Sequence, residues 1–127
     1  MNRNSSGTEP NERGAVLEQE LRRYVRELSQ EPDTVGIVVF GSLGGGMLHE
    51  DSDIDLMVVK ETRVPFLERL RWMRRALQPK VATDFLVYTP EEVAHLWRSR
   101  PFFRVEIMGR GKVLYERERG TLAQLCA

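Results

Sequence analysis

The residues able to do chemistry lie in one stretch: Gly41-Ser42, ten residues, then Asp53-Ile54-Asp55. The Gly-Ser pair stops an apolar run, Val35 to Phe40, and Asp-x-Asp opens another, Ile54 to Val59. Strand alternation places Asp53 and Asp55 on one face, about 7 Å apart along the chain. Two carboxylates brought to ~4 Å repel by roughly 4 kcal/mol at an effective dielectric of about 20. A divalent cation between them relieves that repulsion. Beside a glycine-rich turn, the pattern reads as a metal-and-phosphate site.

Three familiar phosphate or metal motifs fail on spacing. Gly41 and Gly46 match the glycines of a P-loop, but Met47-Leu48 stands where Lys-Ser/Thr is required. Leu43 occupies the second glycine position of a dinucleotide-binding fingerprint. Asp51-x-Asp53-x-Asp55 opens like a calcium loop, yet its sixth residue is Leu56 and its twelfth Thr62.

The elements that must position these residues follow from apolar periodicity. Leu17, Leu21, Tyr24 and Leu28 keep helical spacing and predict a helix from about Ala15 to Gln30. Thr34 to Phe40 and Asp53 to Lys60 read as strands. Pro65 suits the first turn of a helix with Phe66, Leu70, Met73 and Leu77 on one face. Ala82 to Tyr88 is a third strand and carries a third carboxylate, Asp84. Thr89-Pro90-Glu91-Glu92 is a capping-box start for a helix to about Ser99. Pro101 begins a further helical turn or two, and Gly111 to Tyr115 reads as a last short strand. This order implies an α/β (α+β) domain with a small central mixed sheet flanked by helices. Residues 1–12 are expected to be a disordered segment, 13–116 the domain and 117–127 a charged tail.

Composition narrows the function classes. Of 127 residues, 41% are hydrophobic and 30% charged, which suits one globular domain with a single core. Nineteen basic and nineteen acidic residues cancel, so no global charge favours direct binding of nucleic acid or an anionic membrane. Met1 to Pro10 lacks the apolar segment of a signal peptide, and no stretch is long and apolar enough for a membrane span. With one cysteine, Cys126, a cytoplasmic location is expected. The arginines at 69, 71, 74 and 75 read as a solvated helix face, and Trp72, off the apolar stripe, as partly exposed.

Taken together, Gly-Ser, ten residues, Asp-x-Asp and a third Asp on a later strand resemble the minimal, single-domain nucleotidyltransferases of the DNA polymerase β superfamily. The resemblance covers roughly residues 34–115. It implies a palm-like fold in which Asp53, Asp55 and Asp84 are catalytic and hold two Mg²⁺ ions, with Gly41 and Ser42 holding phosphates. The implied reaction transfers a nucleoside monophosphate, AMP from ATP, to an acceptor hydroxyl. Minimal domains of this type pair with HEPN-type proteins, so the implied partner is a HEPN-type toxin modified on a tyrosine, with this chain its antitoxin; a homo-oligomer is the other way to complete the site. One departure stands out. Many minimal members follow Gly-Ser with arginines, whereas this chain has Leu43-Gly44-Gly45-Gly46. A non-catalytic partner-binding module, or a transferase acting on a small molecule such as an antibiotic, are the alternatives.

Overall fold

Residues 10–41 and 52–127 are described by a computed structural model. Helix α1 spans Pro10–Ser29, strand β1 Thr34–Phe40, β2 Ile54–Lys60, helix α2 Phe66–Leu77, β3 Thr83–Tyr88 and α3 Pro90–Ser99. A π-helical segment, Phe103–Gly109, then leads to β4 at Lys112–Glu116 and α4 at Thr121–Leu125. The strands form one mixed sheet in the order β3-β2-β1-β4, with β1 antiparallel to β2 and β4 and β2 parallel to β3. This is the α+β architecture expected from the element order.

Both central strands are buried along their whole length, which is why β1 and β2 read as continuous apolar runs rather than alternating ones. Ile37, Val39, Ile54, Leu56 and Val58 pack under α1 and α2, meeting Leu17, Leu21, Tyr24, Leu28, Met73 and Leu77. Val38, Phe40, Met57 and Val59 point the other way, toward Val93, Phe103, Ile107 and Leu122. Asp55 belongs by alternation to this second face. The edge strand β3 alternates between buried and half-buried residues.

The differences from the periodicity reading have local causes. α1 begins at Pro10, so residues 10–12 are helical rather than part of a disordered leader. The charged tail expected after residue 116 folds back as α4, because Leu122 buries itself on Gly36. The Glu116 carboxylate accepts from the amides of Gly120 at 3.3 Å and Leu122 at 2.9 Å, which fixes that return. Phe66, expected in the α2 core stripe, is instead at the rim, stacked on Tyr88 at 5.8 Å. The α2 arginines are not all solvated. Arg69 donates to the Val87 carbonyl and Arg74 to that of Thr83, blunting the open edge of β3.

α1 is tied to the end of α2 by a buried ion pair. Glu20 accepts both Nε and Nη2 of Arg23 at 2.9 Å and the Lys80 amide at 2.7 Å, while Arg23 also donates to the Leu77 carbonyl. The Arg23 hydrogen bond, outweighing burial and helped by the Lys80 amide, holds the Glu20 carboxyl down to about 2 from an ordinary 4.5. A carboxyl lowered on folding stabilises the fold above its unfolded pKa and loses that contribution as pH falls toward its folded one. Acid titration of stability is therefore expected to cost the wild type about 2–3 kcal/mol more than Glu20→Gln as pH falls from ~4.5 toward ~2, measured by urea melts. Parallel curves for the two proteins would refute this.

Candidate active site

The site residues meet at one end of the sheet. In the β2–β3 ladder Asp55 lies directly opposite Asp84, and in the β1–β2 ladder it lies opposite Phe40, the residue before Gly41. Neighbouring strands sit about 4.8 Å apart, so the two carboxylates rise side by side from one face. Asp55 is only 1% exposed, and Ser52 Oγ donates to its Oδ1 at 2.7 Å. A buried carboxylate needs such partners, since desolvation otherwise disfavours its charge.

Gly41 lies against that carboxylate. Its φ is +69°, a left-handed conformation that glycine adopts without strain. A Cβ at this position would overlap the Asp55 carboxylate and lie 2.9 Å from its Cγ. Two demands, one conformational and one steric, therefore select glycine here.

Asp53 sits just outside β2, anchored by its amide to the Ala82 carbonyl at 2.8 Å. Its carboxylate is taken by Arg13 from the first turns of α1, an ion pair between side chains 53% and 25% exposed. Among the described residues no three His, Cys, Asp or Glu side chains converge as a ready-made metal site. The expected triad is thus present as an Asp55–Asp84 pair with Asp53 beside it, held by an arginine. Ser42 and residues 43–51, to which the phosphate-binding turn was assigned, lie outside the described residues.

Periodicity did not reveal Ser52, Arg13 or Arg74 as neighbours of the site. Ser52 had a local signal, a hydroxyl three residues ahead of Asp55. Arg13 had none, because its approach depends on how α1 crosses the sheet. Arg74 lines two hollows with Asp84, of about 330 and 250 Å³, and stacks 5.4 Å from the Phe85 ring centroid.

A separate hollow of about 200 Å³ lies at the far end of β2, lined by Lys60, Thr62, Arg69 and Trp72 among others. The Lys60 ammonium there is engaged by Glu31 at 2.5 Å, Asp33 at 3.1 Å and the Trp72 ring at 4.4 Å. That cluster is a structural tie between β2, α2 and the α1–β1 turn, and it contains none of the Asp55 end's groups.

Against known proteins, the profile of the polymerase beta nucleotidyltransferase family matches residues 23–120. The chain belongs to that family. A Sulfolobus solfataricus protein assigned as a nucleotidyltransferase has the same fold, with a TM-score of 0.58 at 18% identity over 94% of this chain and 95% of the other. Two toxin–antitoxin structures superpose less well. One, with AMP-PNP, has a TM-score of 0.48 at 20% identity over 86% of this chain and 80% of that one. The other, MntA–HepT, has 0.46 at 17% identity over 88% and 80%. No significant match was found among curated proteins.

The Gly41–Asp55 contact makes a measurable claim. Gly41→Ala is expected to lower stability by about 2–4 kcal/mol, from left-handed strain plus the displaced carboxylate. In an Asp55→Ala background the same change should cost only about 1–2 kcal/mol, the backbone part alone. Equal costs in the two backgrounds, read by denaturant melts, would show that the close approach is not present.

Proposed function

We propose that the chain transfers a nucleoside monophosphate, AMP from ATP, to an acceptor hydroxyl, with Asp55 and Asp84 at the reacting centre. The observation that carries this reading is their register: two carboxylates opposite one another on parallel strands, beside the glycine that ends β1. Their oxygens, with those of Asp53, are the hard donors that Mg²⁺ prefers. Mg²⁺ is ordinarily held by one or two carboxylates plus substrate phosphates, so an incomplete protein ligand set suits it. Two ions bound there would stabilise the attacking and leaving oxygens of an in-line displacement.

The chain's own groups account for the remaining steps. Asp55 is locked in place by Ser52 and by the sheet, so its oxygens need no reorganisation during reaction. Asp84, half-buried beside the two hollows, takes the proton from the acceptor hydroxyl. The hydroxyl oxygen bonds to the α-phosphorus while the bond to the bridging oxygen breaks, and pyrophosphate leaves with that electron pair. Gly41 lets the phosphates approach the backbone, and Ser42 contributes its hydroxyl to them.

The acceptor follows from the family resemblance in the sequence: a tyrosine of a HEPN-type toxin, with this chain as its antitoxin. A second reading is a partner-binding module without catalysis, favoured by the Arg13–Asp53 pair, which leaves the first carboxylate neutralised.

Incubation with Mg²⁺, α-labelled ATP and a HEPN-type protein separates the two. Label is expected on the partner, with Asp55→Asn and Asp84→Asn each lowering the rate at least about 100-fold. A partner that is inhibited yet unlabelled would establish the binding module instead. Label on a small hydroxyl compound with no protein acceptor would replace the toxin by an antibiotic-like substrate.

A further inference from the structure

The segment from Ser42 to Asp51, Ser-Leu-Gly-Gly-Gly-Met-Leu-His-Glu-Asp, contains no lysine or arginine and ends on two acids. A triphosphate brought to the Gly41 end would meet an acidic cluster, Asp53, Asp55 and Asp84, with no cation supplied by the turn itself. Charge must come from elsewhere in the fold. Arg74 is near but occupied, donating to the Thr83 carbonyl at 2.6 Å and lying over the Phe85 ring. Arg23, on the same helix as Arg13, is held by Glu20 and the Leu77 carbonyl. Arg13 differs from both. Its partner is a site carboxylate, and the pair is open to solvent.

We propose that Arg13 is the triphosphate-binding cation of this chain: it rests on Asp53 in the free protein and passes to the β- and γ-phosphate oxygens when a metal–nucleoside triphosphate arrives. The inference rests on the nucleotidyl-transfer reading above. Leu17 and Leu21 anchor α1 in the core, so the Arg13 backbone keeps its place while the long side chain swings. Solvent-exposed ion pairs are weak, and this one exchanges readily for a multiply charged anion. A guanidinium fork suits phosphate geometry better than an ammonium does. The exchange also has a competitive side. With Arg13 in place, Asp53 is less available to a metal ion on its own, so metal and nucleotide are favoured to enter together.

Calorimetric titration of the full chain with Mn²⁺ alone, Mn²⁺–ATP and Mn²⁺–AMP tests this in wild type, Arg13→Ala and Arg13→Lys. Arg13→Ala is expected to weaken Mn²⁺–ATP binding about tenfold, leave Mn²⁺–AMP unchanged and tighten Mn²⁺ alone. Arg13→Lys should recover part of the ATP affinity. Unchanged or tighter ATP binding by Arg13→Ala would overturn the proposal and leave Arg13 as a neutraliser of Asp53. An equal loss for AMP would overturn it as well, since the effect would not depend on the triphosphate. A wild type that binds no Mn²⁺–ATP would overturn both this inference and the nucleotidyl-transfer reading, which separates that failure from the others.

Discussion

A carboxylate buried at the end of a central strand is a demanding thing for a small domain to hold, and the arrangement around Asp55 depends on it. Its position is set by two ladders at once, against Phe40 on one side and Asp84 on the other. A slip of one residue in either would turn every side chain of β2 to the opposite face, sending Asp55 under α1 and α2 and Leu56 out of its core. The apolar residues that alternate with it, Ile54, Leu56 and Val58, therefore guard the register of the two carboxylates as well as contributing burial. Gly41 belongs to the same constraint, because the carboxylate lies where a side chain at that position would be.

The groups around that end come from three parts of the chain. Arg13 comes from α1, Ser52 from just before β2, and Arg74 from α2, where it also caps an edge carbonyl of β3. At the opposite end of β2, Lys60 is enclosed by Glu31, Asp33 and Trp72. The sheet thus has an acidic end where carboxylates gather and a compensated end where a buried lysine is matched by two acids. Net charge near zero hides this polarity, which is why composition gave no indication of it.

Much of the fold was legible from local patterns with strong physical causes. The Leu17/Leu21/Tyr24/Leu28 stripe, the Thr34–Phe40 strand and the Thr89–Glu92 capping box all appear where periodicity and capping chemistry put them. The pairing of Asp84 with Asp55 was expected only through the family resemblance, and the β2–β3 register places the two opposite one another. What escaped depended on tertiary packing. α4 was hidden by Glu116 to Arg119, whose charges mask one decisive apolar residue, Leu122. The approach of Arg13 to Asp53 depends on the path of α1 across the sheet, which no local pattern encodes. Asp53, expected to stand with Asp55 on the strand, lies one residue before it and turns to Arg13 instead.

The most direct test of this assignment is a crystal structure of the chain with Mg²⁺ and a non-hydrolysable ATP analogue. The α-phosphate is expected beside Asp55 and Asp84 at the Gly41 end of β1. A nucleotide seated in the Lys60–Trp72 hollow, with Asp55 and Asp84 touching neither metal nor phosphate, would contradict it.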